Sequence, residues 1–126
     1  MATTIELVKS FLSNEGYKYD LDGDGDVHFK YQGANLFFTD SGNDNEFFRL
    51  IMPNIYEVEG NRTKVLEAAN TVTRDIKVIK AFLVEDNLWL SIEMFIDSTP
   101  EIGDFFNRCC DILIAGRQRI AQEIFS

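Results

Sequence analysis

Apolar residues recur first at helical and then at alternating spacing, and each change of period marks a new element. Ile5, Val8, Phe11 and Leu12 share one side of a helix, and Thr3 with Glu6 three residues on makes a capping box. The pattern predicts a helix from about Thr4 to Asn14, ended by Gly16. Tyr17, Tyr19 and Leu21 then alternate with polar residues as a strand does. Asp22 to Asp26 forms a turn, Val27, Phe29 and Tyr31 resume the alternation, and Gln32 and Gly33 turn the chain into a third strand, Ala34 to Thr39. Past the polar Asp40 to Asn45 loop, Glu46 to Met52 carries Phe47, Phe48, Leu50 and Ile51, too apolar for a strand with one wet face, which predicts a central position. Pro53 cannot donate to a ladder and marks a bulge or the strand's end.

After Gly60, Val65, Leu66, Ala69, Val72, Thr73 and Ile76 fall on one side of a second helix, with Arg62, Lys64, Glu67 and Arg74 elsewhere. Val78 to Val84 and Leu88 to Ile96 are β-rich runs joined through Glu85, Asp86 and Asn87, which predicts a hairpin. Thr99 before Pro100 reads as a helix start. Ile102, Phe105, Phe106, Cys109, Leu113, Gly116, Ile120 and Ile124 form the stripe of a long closing helix, about Pro100 to Ile124. Gly116 in that stripe lets a neighbour come close, more simply within the domain than across a dimer. The order is α-β-β-β-β-α-β-β-α. Strands joined by short turns pair antiparallel, and three amphipathic helices need an apolar surface to cover. The predicted class is therefore α+β, an antiparallel sheet with helices packed on one face, forming a single domain over residues 1–126.

The second strand of the hairpin alternates throughout, Leu88, Leu90, Ile92, Met94 and Ile96 against Trp89, Ser91, Glu93 and Phe95. Trp89 and Phe95 thus share the face opposite Leu90 and Ile92. A contiguous set of large apolar residues on a face without helices marks a partner surface, and these two are its candidates.

Charge narrows the partners. The 12 Lys and Arg against 21 Asp and Glu give a net charge of -9, which repels phosphate backbones and anionic lipid, so neither nucleic acid nor membrane is expected. Met1 to Lys9 lacks a basic start followed by an apolar run, and no stretch approaches about 18 apolar residues, so no export signal or span is expected either. Cys109 and Cys110 are helical neighbours whose side chains point about 100° apart and do not bridge. They read as buried thiols in a reducing, cytoplasmic compartment, and are too few for a structural zinc site with the single His28 so far away in sequence.

Candidate chemistry adds little. Asp20, Asp22 and Asp24 stand at the first, third and fifth positions of a calcium-type loop with Gly25 at the sixth, but the twelfth, which requires a bidentate Glu, is Tyr31, and a strand follows in place of the exiting helix. A hairpin turn accounts for the motif, and the alternative is a weak, adventitious Ca²⁺ site on Asp20, Asp22, Asp24 and Asp26. His28 is the one available base and lies inside a strand. Glu57 with Glu59, and Glu85 with Asp86, are expected in turn-like, solvated settings and read as surface charge. No catalytic residue and no cofactor is assigned.

The helix pattern Val8 to Gly16 running into Tyr17 to Leu21, the acidic turn before Val27-His28-Phe29, the strand Phe47 to Met52, the Ala68-Ala69-Asn70 region, the hairpin ending in Glu93 to Ile96 and the long final helix together resemble the YbjN-like family. These are small bacterial proteins, described as sensory transduction regulators, whose fold is similar to the type III secretion chaperones. The resemblance spans essentially the whole chain. It implies a non-enzymatic domain that binds extended segments of protein partners along apolar patches of sheet and helix, and a homodimer, as is common among the chaperone relatives. It carries over no functional residue position by position. The expected function is a protein-binding module, chaperone-like or regulatory. The alternative is a small-molecule-sensing domain, suggested by the aromatic content, with an enzyme of unrecognised type ranked last.

Overall fold

A computed structural model describes residues 2–126 of the chain. The first helix, α1 (Thr4–Asn14), begins at the predicted capping box: the Glu6 N–H donates to Thr3 Oγ1 at 3.3 Å, and the Glu6 carboxylate accepts from the Thr3 N–H. The strands β1 (Tyr19–Leu21), β2 (Val27–Tyr31), β3 (Ala34–Phe38) and β4 (Phe47–Glu57) follow. Next come α2 (Arg62–Asp75), the hairpin β5 (Ile79–Val84) and β6 (Asn87–Phe95), a 3₁₀ turn at Ile102–Asp104, and α3 (Phe106–Phe125). All strand pairs are antiparallel, in the order β1-β2-β3-β4-β6-β5, so β4 is central as its apolar run predicts.

The helices cover one face of this sheet. Phe29, Leu36, Phe38, Phe48, Leu50, Leu90 and Ile92 point into a single core that also takes Leu12 from α1, Val65 and Val72 from α2, and Phe106, Leu113 and Ile120 from α3. Aromatic rings fill the α1 side. Phe106 lies 5.1 Å from Phe11, 5.6 Å from Phe29 and 6.1 Å from Phe48, centroid to centroid, in tilted and edge contacts.

Four local readings are corrected. The first strand begins at Tyr19, not Tyr17, because the chain is still leaving α1 through Gly16 at φ +82. β4 does not stop at Met52: of the two readings of Pro53 the bulge holds, between Met52 and Tyr56 with Asn54 at φ 54, and the strand runs on to Glu57. The buried stripe of α2 is Val65, Ala68, Ala69 and Val72, which leaves Leu66 half exposed. The closing helix begins at Phe106, not Pro100. Phe105 and Phe106 are both drawn onto Phe48, at 5.2 and 6.1 Å, and Phe105 takes an extended φ of -138 that interrupts the helix.

Candidate functional site

The face turned away from the helices is built by the other parity of each strand. One register line crosses the whole sheet there: Asp20, His28, Phe37, Ile51, Ser91 and Lys80 stand side by side on six strands. A second line pairs Arg49 with Glu93, and a third Phe47 with Phe95. Period-two alternation fixes this sorting, since every strand that gives one side chain to the core gives the next to this face.

The structure places Trp89 and Phe95 on this helix-free face, but not in one patch. They stand six positions apart on β6, about 20 Å at the usual strand rise. Between them lies a polar knot centred on Glu93. Its Oε2 accepts from Ser91 Oγ at 2.8 Å and lies 3.3 Å from Arg49 Nε and 3.5 Å from Lys80 Nζ. Burial works to raise the Glu93 pKa, but the hydrogen bonds from Ser91 and Arg49 and the charges of Lys80 and Arg49 outweigh it and hold the carboxyl below its ordinary value. The contiguous apolar set expected from β6 is therefore divided in two by charge.

At one end, the Trp89 indole stands 6.3 Å from Phe82 and donates its Nε1–H to Asn54 Oδ1 at 3.0 Å, so the β4 bulge fixes the ring. A concavity of about 370 Å³ opens beside it, with Phe37, Ile51 and Pro53 as apolar lining and the Asp22–Asp26 turn on its rim. At the other end, Phe95 is 86% exposed and meets Phe47 at 6.2 Å. A second concavity, of about 580 Å³, lies there between Phe95, Met94, Pro100 and Phe105, with Asp97, Glu101 and Asp104 at its edge. From the sequence only Trp89 and Phe95 were named for the partner surface, and not Phe37, Phe47, Ile51, Phe82 or Phe105. The signal for the strand residues was present, as the parity opposite to the core residues of β3, β4 and β5.

The four candidate carboxylates are not one cluster. Asp22, Asp24 and Asp26 come together, with ligand atoms within 4.8 Å of one another, while Asp20 lies 3.1 Å from His28 Nδ1. The oxygens of the turn are partly engaged in building it. Asp22 Oδ1 accepts from the N–H groups of Asp24 and Asp26, and Asp26 Oδ1 accepts from the Asp40 N–H. Burial, with the neighbouring negative charges, keeps the Asp26 pKa raised despite that last bond. His28 is held between Asp20 and Asn35, with Nε2 2.9 Å from Asn35 Oδ1, and its ring lies over Phe37 at 4.8 Å. Among the described residues, no helix is long and apolar enough to cross a membrane.

Residues 2–123 match the family model described as T3SS (YopN, CesT) and YbjN peptide-binding chaperone 1. Among solved structures, an uncharacterized protein from Methanothermobacter thermautotrophicus is similar with a TM-score of 0.68 at 13% identity, covering 96% of each chain. The crystal structure of YbjN from E. coli is similar with a TM-score of 0.60 at 13% identity, covering 95% of this chain and 87% of that one. At those identities the likeness is one of fold. No curated protein matches the chain.

Proposed function

The chain belongs to the family of type III secretion and YbjN peptide-binding chaperones, and from that premise we propose that it is a non-enzymatic peptide-binding module whose binding surface is the helix-free face of its sheet. One observation carries the reading. Large apolar side chains stand at both ends of that face, Trp89 with Phe82 and Phe95 with Phe47, each beside a concavity and neither covered by a helix. An extended segment of about seven residues spans the distance between them and places alternate side chains at the two ends. The unbridged thiols Cys109 and Cys110 suit a reducing compartment, so the proposal is cytoplasmic action on a protein partner. A homodimer belongs to the same proposal, with the exposed Leu66 and Phe125 on helices, away from the peptide surface. Light scattering tests that part.

Selection from a displayed library of random peptides tests the surface. Sequences with alternating apolar residues are expected, and their addition should shift amide resonances of β4, β5 and β6. Failure to enrich any sequence, or shifts confined to α1, α2 and α3, would overturn the reading.

A further inference from the structure

The concavity beside Trp89 differs from an ordinary apolar pocket in the charge on its rim. Its apolar lining is an indole, a phenylalanine, an isoleucine and a proline, beside Thr39, Arg49 and Asn54, and three carboxylates from a single turn complete it. Arg49 is the cation among its lining residues, and its guanidinium lies against Glu93 at 3.3 Å. The negative charge of the turn is left without a cationic partner among the described ion pairs: Asp22, Asp24 and Asp26 take part in none of them.

We infer that this concavity is a subsite for a lysine or arginine side chain of the bound peptide, with the aliphatic stem on Ile51 and Trp89 and the cationic head against Asp22, Asp24 and Asp26. The inference rests on the helix-free face being the peptide surface and adds the chemistry of one position in the ligand. Long cationic side chains suit such a place because their stems are apolar while their heads need charge. The indole face adds attraction for the same cation. Asp24 is the freest of the three carboxylates, since the oxygens of Asp22 and Asp26 already accept backbone N–H groups. The concavity beside Phe95 repeats the combination of apolar wall and acidic edge, and a net charge of -9 favours basic segments generally.

The test runs the displayed library on the wild-type protein and on Asp24→Asn, which keeps the shape of the turn. Wild type should enrich lysine or arginine at one fixed position relative to the apolar residues. In a synthesised hit, replacing that residue by glutamine should weaken binding about fivefold at low salt, with most of the difference lost at high salt. Quenching of Trp89, the single tryptophan, reports binding at the site. Asp24→Asn should bind the lysine and glutamine peptides nearly alike. Enriched peptides without a basic position, or a lysine preference that Asp24→Asn leaves intact, would overturn this inference while the peptide surface stands. No enrichment at all would overturn both. Millimolar Ca²⁺ that leaves the lysine preference unchanged supports the peptide subsite. Calorimetric Ca²⁺ binding, with lysine and glutamine peptides binding equally, would give the carboxylates to the metal instead.

Discussion

The Cδ1 atom of Ile79 occupies the place where a side chain at Gly116 would begin. A Cβ at that position would stand 2.4 Å from Ile79 Cδ1 and 3.2 Å from Leu90 Cδ1, with Val72 Cγ1 at 3.8 Å. The glycine therefore serves packing within the domain, bringing α3 down onto β5 and β6. Gly116→Ala should destabilise the fold by about 1 kcal/mol, overpacking outweighing the helix propensity that alanine gains. Gly116→Val should cost about 3 kcal/mol. Ile79→Val removes the clashing atom, so the double variant Ile79→Val, Gly116→Ala should be more stable than Gly116→Ala alone in urea denaturation. A Gly116→Ala protein as stable as wild type would mean that Ile79 rotates away without cost.

That contact was half visible in the sequence. A glycine on an apolar helical stripe announces a close approach, but the partner, 37 residues away, is named only by the fold. Features set by neighbours in sequence were legible: the Thr3–Glu6 capping box, the Gln32-Gly33 turn and the alternation of β6. Features set by competition between local and distant forces were not. Thr99-Pro100 is a sound local helix start, yet two adjacent phenylalanines anchored on Phe48 delay the helix to Phe106. The concavity beside Trp89 joins residues from the Asp22–Asp26 turn, β3, β4 and β6, and no pattern along the chain carries a shape of that kind. Trp89 and Phe95 were readable as sharing a face, but the charge between them depends on Arg49 and Lys80 from two other strands meeting Glu93.

Burial pushes the Cys109 thiol up from 9.0 to about 11, with Arg108 opposing in part, and raises Cys110 further. Both folded pKa values lie above the unfolded ones. The stability that the thiols contribute is thus full below pH 9 and is lost as pH rises through the folded values. Urea midpoints should fall between pH 9 and 11. Cys109→Ala should flatten that fall by up to about 1.4 kcal/mol per pH unit. Parallel wild-type and variant profiles would show that the thiol ionises alike in the folded and unfolded chain.

Glu93 is the opposite case. Burial alone would raise its pKa, but Ser91, Arg49 and Lys80 hold it below its ordinary 4.5, so its stabilising contribution is present above that pH and is lost as pH falls through the folded value. Glu93→Gln should cost about 1 kcal/mol at neutral pH, where it weakens the bonds from Ser91 and Arg49. The difference from wild type should shrink as pH falls below 4.5 and vanish once the carboxyl is protonated. A cost that persists unchanged in acid would assign the effect to packing rather than to charge.

Phe95 separates binding from folding. A phenylalanine ring that is 86% exposed contributes little to the core, and its contact is with Phe47 on the same open face. Phe95→Ser should change stability by less than about 0.5 kcal/mol. If the concavity between Phe95 and Phe105 takes an apolar side chain of the bound peptide, the same change should weaken a selected peptide about tenfold, because removing a large aromatic anchor commonly costs more than about 1 kcal/mol. Leu66→Ser is the matched control. Leu66 is half exposed on α2, away from the sheet face, and its replacement should leave peptide affinity unchanged. Equal affinity of wild type and Phe95→Ser for every selected peptide would remove this end of the sheet from the binding surface. Equal losses in Phe95→Ser and Leu66→Ser would mean that affinity follows general surface hydrophobicity rather than the two-ended face.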